Sequence, residues 1–201
     1  MPRPPVSAAP LPRGRTPRHK RDMAILKIAR MGHPVLLRRA DPVPDPAAPE
    51  MRRLVADMTE TMLDAGGLGL AAPQVHVPLR LFVMRDGDAV IALFNPELSA
   101  LSAETEPGWE GCLSIPGLRG EVPRFTRIAF RADDAEGRPV TGEADRLSAR
   151  VMQHETDHLD GLLYPMRMPD LSRIGFSEEL ARHQPASLRM PGDPRAAAPA
   201  R

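Results

Sequence analysis

The sequence has a single cysteine, Cys112, among its 201 residues, so no disulfide can form within the chain. A lone thiol is more typical of a reducing compartment than of an oxidising one. No run of 18 or more apolar residues is present, and the first residues lack the apolar stretch of a secretory signal. These absences argue against a disulfide scaffold, a membrane protein and a secreted protein, and we expect a cytoplasmic location.

Acidic residues are absent from the first 21 positions, although the whole chain has a net charge of only +1. This segment is rich in Pro, Arg and Ala, so residues 1–22 are predicted to be a disordered, basic extension. An organelle transit peptide is the alternative, but the low serine content and the many prolines argue against it. Residues 185–201 are a predicted low-complexity tail. We therefore expect one folded domain over residues 23–184. The full chain is 42% apolar, which is enough to supply a core for this domain.

Helical and strand patterns are mixed in this domain. The stretch "PEMRRLVADMTETMLDAGG" repeats apolar residues at helical spacing and ends in two glycines, which predicts an amphipathic helix near the N-terminus of the domain. The runs "LRLFVM", "AVIALFNP", "RFTRIAFRA" and "GRPVTGEA" are short, alternating or β-branched, and turn signals lie between them. The sequence therefore predicts an α+β fold with small antiparallel sheets.

A second helix is predicted from near Ala144 to Gly161, and it contains "QHETDHLDG". His154 and His158 are four residues apart and lie on the same predicted apolar stripe, so their imidazoles can reach one metal ion. Glu155 lies one position around the helix, where it can reach a water molecule at that metal. A single buried histidine is more often a core residue than a ligand, but two at this spacing favour a metal site.

A hydrolytic site of this kind needs a third protein ligand. The metzincin spacing would place a histidine at position 164, where this chain has Tyr164. A zinc metalloprotease with Glu178 or Glu179 as the third ligand is one alternative. Cys112 is the other, because its thiolate would complete a set with two imidazoles.

Three segments resemble the signature motifs of peptide deformylases, in the order that the family has them: "GLGLAAPQ", "EGCLS" and "QHETDHLDG". The similarity extends from about Met23 to Met168. The resemblance implies a metal-dependent hydrolase that removes the N-formyl group from the initiator methionine of new polypeptides and releases formate. It also implies sheets packed around a central helix that carries HExxH.

The resemblance implies that Cys112, His154 and His158 bind one divalent metal, natively Fe(II), although the ligand set also suits Zn(II), Ni(II) or Co(II). Glu155 would be the general base and then the general acid. The side chain of Gln74 and the backbone N–H of Leu113 would stabilise the oxygen of the formyl group. The expected peptide-binding residues are Leu68, Gly69, Gly111 and Arg119, and the interpretation offers Leu113, Leu147 and Val151 as the lining of a methionine pocket.

The partners that this resemblance implies are N-formylmethionyl polypeptides as they emerge at the ribosome. The body of the sequence has no nucleic-acid-binding signature, so we expect no sequence-specific nucleic acid and no membrane partner. We also expect a monomer.

Overall fold

A computed structural model of the chain describes residues 24–183. The predicted extension over residues 1–22 and the predicted tail over residues 185–201 lie outside this range. Between residues 24 and 183, no helix has the length and apolarity needed to cross a membrane.

The described chain contains eight strands, three α-helices and four short 3-10 helices. The strands are β1 (Gly69–Ala71), β2 (Leu81–Asp86), β3 (Ala89–Ala100), β4 (Thr105–Cys112), β5 (Ile115–Phe125), β6 (Arg127–Asp133), β7 (Pro139–Asp145) and β8 (Ile174–Phe176). The α-helices are α1 (Pro49–Asp64), α2 (Arg146–Leu159) and α3 (Ser177–His183), and the 3-10 helices are Pro34–Leu37, Ala72–Val75, Tyr164–Arg167 and Leu171–Arg173.

The strands form two antiparallel sheets, as the sequence predicts for an α+β fold. The larger sheet has the order β1-β2-β3-β6-β7, and the smaller sheet has the order β4-β5-β8. Strands β1 and β4 are therefore edge strands, each with one side free of a partner within its sheet. Helix α2 packs against strands of both sheets.

Helix α1 begins with Pro49, whose fixed φ suits the first helical position. Val55, Met58 and Met62 are buried on one face and belong to the same core cluster as strand β2 and Phe94 of strand β3. Burial of this apolar face is the main source of the stability of such a helix, because isolated helices of this length are marginal in water.

Helix α2 begins at Arg146, two residues after the predicted start near Ala144, because Ala144 still pairs with Ile128 in the β6–β7 hairpin. Its buried face includes Ala149 and Met152, which pack in the core of the larger sheet. The helix ends at Leu159, and Asp160 satisfies its last turn by donating its backbone N–H to Asp157 O and Thr156 O.

The run "RFTRIAFRA" was expected to form one strand, but the structure divides it between two strands. Phe125 ends β5 in one sheet and Arg127 begins β6 in the other, so Thr126 is the corner between the sheets. Strands β1, β4 and β8 and most of β5 were not predicted, because glycine and proline interrupt their patterns.

Candidate metal centre

The donor atoms of Cys112, His154 and His158 all lie within 4.8 Å of one another. Cys112 is the last residue of β4, and both histidines are on α2. The Cys112 Sγ is 3.2 Å from Nε2 of His158. Two separate elements therefore bring together the three residues that the resemblance implies as ligands.

The sharp end of the β4–β5 hairpin positions the cysteine. Cys112 pairs with Ile115, so Leu113 and Ser114 form the two-residue turn between the strands. The backbone N–H of Ser114 donates to Cys112 Sγ at 3.4 Å. This turn therefore places the Cys112 sulfur beside the backbone of Leu113.

Gln74 is a buried residue whose side-chain amide reaches this turn. Its Oε1 accepts a hydrogen bond from the backbone N–H of Ala71 at 2.8 Å, which fixes the orientation of the amide. Its Nε2 donates to Ser114 Oγ at 3.1 Å and to Cys112 Sγ at 3.5 Å. The amide N–H₂ of Gln74 is therefore adjacent to the candidate metal ligands.

Glu110 holds His154 from the other side. The Nδ1 of His154 is 2.9 Å from Glu110 Oε2, so the carboxylate accepts a hydrogen bond from the ring. This bond leaves Nε2 of His154 for the metal cluster. Burial alone would raise the pKa of Glu110, but the hydrogen bonds with Arg124 and His154 lower it to about 2.

A buried chain of charges extends from Glu110. Arg124 donates to both oxygens of Glu110 at 2.8 and 2.9 Å, and to Asp157 Oδ2 at 2.6 Å. Asp157 also accepts hydrogen bonds from Arg167, whose side chain is half-exposed. Burial alone would lower the pKa of Arg124, but the two carboxylates raise it above its ordinary value. Glu110 and Asp157 belong to the motifs "EGCLS" and "QHETDHLDG", but nothing in the sequence predicts that they pair with Arg124 and Arg167.

The two histidines are in different electrostatic surroundings. Burial and the nearby charge of His154 lower the pKa of His158 well below its ordinary value, so this ring is neutral. Burial also opposes the charge on His154, but hydrogen bonds with Cys112 and Glu110 raise its pKa well above the ordinary value. The ring of Tyr164, at the position where a metzincin has its third histidine, stacks on His154 with centroids 6.3 Å apart.

Glu155 is a buried carboxylate between α2 and β1. Burial raises its pKa to about 7, and its Oε2 has no hydrogen-bond partner among the described residues. A Cβ added at Gly69 would overlap the Glu155 carboxylate, so only glycine leaves room for it. A buried oxygen without a protein partner is the feature expected of a carboxylate that binds a reacting water or substrate.

A cavity of about 410 Å³ opens beside these residues. All four residues expected to bind the peptide line it: Leu68, Gly69, Gly111 and Arg119. Leu113, Leu147 and Val151, which the sequence offered for a methionine pocket, also line it. Gly69 lies on edge strand β1 and Gly111 on edge strand β4, so the cavity is flanked by two strand edges.

The alternative third ligand, Glu178, is elsewhere. It is an exposed residue of α3, and the group that could hold a metal ion among residues 24–183 contains Cys112 instead. Its neighbour Glu179 is also exposed and pairs with Arg182 and His183. The structure therefore brings the two histidines together with the thiol.

The donor set fits a divalent transition metal. A thiolate with two imidazoles is a combination that such ions prefer over the hard ions Mg²⁺ and Ca²⁺. The hydrogen bond from His154 to Glu110 is the carboxylate–histidine arrangement that commonly orients a metal ligand. A tetrahedral ion held by these three donors would have one coordination position left for a reacting molecule.

Comparison with protein families gives a match over residues 25–173 to the model of the family described as polypeptide deformylase. The chain is 46% identical over 168 residues to Peptide deformylase 2 of Pseudomonas putida, with 78% of this chain and 94% of that protein covered. It is 48% identical over 163 residues to Peptide deformylase 2 of Bordetella bronchiseptica, with 76% and 93% covered.

Solved structures are similar over the same region. The peptide deformylase of Thermus thermophilus superimposes with a TM-score of 0.70 at 42% identity, over 79% of this chain and 92% of that one. A peptide deformylase from Synechococcus elongatus in complex with actinonin gives a TM-score of 0.71 at 36% identity, over 78% and 85%.

Proposed function

Because the chain belongs to the polypeptide deformylase family and is a peptide deformylase, we propose that it hydrolyses the N-formyl group of formyl-methionine at the start of new polypeptides. The products are formate and a polypeptide with a free amino terminus. The observation that carries the proposal is the group of Cys112, His154 and His158 beside the buried carboxylate of Glu155, at a cavity flanked by two strand edges.

The proposed cofactor is one divalent metal ion held by Cys112, His154 and His158, with Fe(II) as the native ion. Zn(II), Ni(II) and Co(II) suit the same ligands, so availability in the cell decides between them. When bound, such an ion supplies a Lewis acid that polarises the formyl carbonyl and makes water more acidic. Glu110 supports it by fixing the ring of His154.

Glu155 is the proposed general base and general acid. Its unpartnered Oε2 accepts a proton from the attacking water as the water oxygen bonds to the formyl carbon. The same carboxyl group then gives that proton to the amine nitrogen as the carbon–nitrogen bond breaks. Its pKa of about 7 supports both steps near neutral pH, since the group gains and loses a proton at little cost.

Gln74 and Leu113 are the proposed donors to the formyl oxygen. This oxygen becomes negatively charged when the carbon becomes tetrahedral, and fixed N–H donors stabilise that charge. The Nε2 of Gln74 is beside Cys112 Sγ, and the bond from Ala71 to Oε1 keeps the amide from rotating. Leu113 directly follows Cys112 in the hairpin turn, which supports a role for its backbone N–H.

The polypeptide is proposed to bind as an added strand. An extended peptide can hydrogen-bond with the free edge of β1 or β4, and side chains give specificity. Leu68, Gly69 and Gly111 line this part of the cavity, and the glycines allow a close approach of the two backbones. Arg119 lines the cavity opposite Gly111, where its guanidinium can donate to peptide carbonyls.

A narrow site explains why formyl would be preferred to acetyl. One extra methyl group changes binding by only about 1–3 kcal/mol in a soft pocket, so strong selectivity needs rigid walls. Here hydrogen bonds among Gln74, Ser114 and Cys112 hold the hairpin turn on one side of the site. On the other side, the hydrogen bond with Glu110 holds the ring of His154. The proposed partners are nascent polypeptides at the ribosome in the cytoplasm. The protein is proposed to act on them as a monomer.

The direct test is formate release from a formyl-methionyl tripeptide by the purified chain loaded with Ni(II). We expect release of one formate for each new amino terminus, and no reaction with the acetyl-methionyl peptide. Casein is the second substrate, because a metalloprotease would cleave its internal bonds. Cleavage of casein without formate release would contradict the proposed function.

A further inference from the structure

The chain returns to the β4–β5 hairpin after the helix that carries the two histidines. Strand β8 adds to the smaller sheet as an edge strand, and its three residues pair with Leu118, Arg119 and Gly120 of β5. Helix α3 begins directly after β8, at Ser177. Residues 173–183, the β8–α3 segment, therefore lie against the hairpin that also carries Cys112.

Arg173 anchors the β8–α3 segment to the sheet. Its Nε and Nη2 donate to the two carboxylate oxygens of Glu121 at 3.0 and 2.9 Å. The guanidinium also lies over the ring of Trp109, 5.4 Å from its centroid. A bidentate pair fixes the geometry of both side chains, and the contact with the aromatic face adds to the attraction. The start of the segment is therefore held in one position on β4 and β5.

Gly175 allows helix α3 to pack directly on β8. A Cβ at position 175 would be 3.1 Å from Cδ2 of Leu180 and 3.2 Å from its Cγ, which is closer than ordinary van der Waals contact. The side chain of Leu180 therefore lies against the backbone of the strand. This contact holds the first turn of α3 close to the sheet.

Ser177 lines the cavity together with Gly117 and Arg119. Because Phe176 pairs with Leu118, continuing the register by one residue places Ser177 beside Gly117. Side chains alternate along a strand, so Ser177 follows on the same face of the sheet as Arg119. Within residues 24–183, no group forms a hydrogen bond with the hydroxyl of Ser177. This hydroxyl is therefore free to bind a molecule in the cavity.

We propose that Ser177 is a substrate-binding residue that hydrogen-bonds to the polypeptide backbone after the methionine, and that Arg173 is the positioning residue that holds it there. This inference rests on the proposed function, which places the formyl carbon at the metal ligands. Cys112 pairs with Ile115, and Gly117 is two residues, or about 7 Å, farther along β5. An extended polypeptide covers the same distance with about two residues. A hydroxyl both donates and accepts hydrogen bonds, so it favours longer polypeptides without selecting their sequence.

Substrate length is the variable that tests the role of Ser177. The substrates are the amides of formyl-Met, formyl-Met-Ala and formyl-Met-Ala-Ala, and kcat/KM of the unmodified protein should rise with length. In Ser177→Ala, kcat/KM for the longest substrate should fall by about 2- to 10-fold, the effect of one neutral hydrogen bond, and kcat/KM for formyl-Met amide should not change. Ser177→Thr keeps a hydroxyl and should keep the dependence on length.

Arg173→Ala removes the anchor, so it should cause the same selective loss with the longest substrate. The double variant should lose no more than Ser177→Ala alone, because the effect of Arg173 passes through Ser177. The measurements use the full chain loaded with Ni(II), with thermal melting as a check on folding. Ser172→Ala is the matched control, because Ser172 is an exposed serine close in the chain that does not line the cavity.

An equal fall in kcat/KM for all three substrates in Ser177→Ala would overturn the role of Ser177. The same selective fall in Ser177→Thr or in Ser172→Ala would also overturn it. A greater loss in the double variant than in Ser177→Ala would overturn the positioning role of Arg173. Absence of formate release by the unmodified protein from every substrate would instead contradict the proposed function.

Discussion

The carboxylate of Glu110 lies 2.9 Å from Nδ1 of His154 and holds the imidazole in one orientation. Glu110→Gln removes the negative charge and replaces one acceptor oxygen with an N–H₂ group that faces existing donors. Partners of this kind typically contribute 10- to 100-fold to metal affinity, so we expect a loss of about that size in a Ni(II) titration. The control is Glu121→Gln, which changes a carboxylate of β5 that pairs with half-exposed Arg173. Equal metal affinity in both variants would contradict this role of Glu110.

Arg124 is the buried cation between Glu110 and Asp157. Arg124→Leu leaves two buried carboxylates without that partner, and loss of one member of a buried charge pair typically costs about 3–5 kcal/mol. Urea unfolding of the metal-free protein measures this change in the free energy of unfolding. Arg127→Leu removes an exposed arginine that pairs with exposed Glu143, and its effect should be within about 1 kcal/mol. A similar small effect for Arg124→Leu would mean that the buried network contributes little.

Gly69→Ala should abolish most of the activity without removing the metal. The added Cβ overlaps the carboxylate of Glu155, so that side chain must leave its position beside the metal ligands. General acid–base catalysis contributes about 10²–10⁴-fold, and kcat should fall by about that amount. Metal analysis of the same sample should give normal content, since Cys112, His154 and His158 are unchanged. Full activity would show that the position of Glu155 is not required.

A chain that starts at Met23 should fold and keep its activity. At the start of the described structure, the backbone N–H groups of Ala24 and Leu26 donate to the side chains of Asp57 and Thr61, which attaches the start of the domain to α1. Residues 1–22 have a composition that offers little for a core. A loss of more than about 1 kcal/mol in unfolding free energy would indicate that the extension contributes to packing.

The sequence predicted the elements with regular patterns. Alternating residues identified β2, β3 and β7, and helical spacing identified α1. Strand β1 is only three residues long and β4 contains Pro107 and two glycines, so neither has a recognisable pattern. The residues alone leave Cys112 as one of two alternatives for the third ligand, because the residues of a hairpin turn and a distant helix become neighbours only in the fold.

The burial of the charged residues around the metal ligands could not be predicted from a sequence pattern. Arg124 and Arg150 are ordinary charged residues in the sequence, and Glu110 lies in the motif "EGCLS" without an expected role. Charged residues are usually exposed. Their burial follows from pairing across β4, β5 and α2, which depends on strand register. Gly108 is the local signal for Arg150, because a Cβ at position 108 would overlap the guanidinium of Arg150, and a strand glycine often marks such a close approach.

The proposed identity of the third ligand and the proposed role of Glu155 make a joint prediction. Cys112→Ala deletes the thiolate, so two imidazoles remain and both metal and activity should be lost. Glu155→Gln keeps the shape of the side chain but cannot accept a proton, so metal should stay bound while kcat falls by about 10²-fold or more. Glu178→Ala changes an exposed residue of α3 and should affect neither.

The most direct test is metal content by mass spectrometry beside formate release, measured for Cys112→Ala and Glu178→Ala after dialysis against a chelator. The account predicts that Cys112→Ala has neither metal nor activity and that Glu178→Ala has stoichiometric metal and full formate release. Stoichiometric metal in Cys112→Ala, together with metal loss in Glu178→Ala, would contradict it.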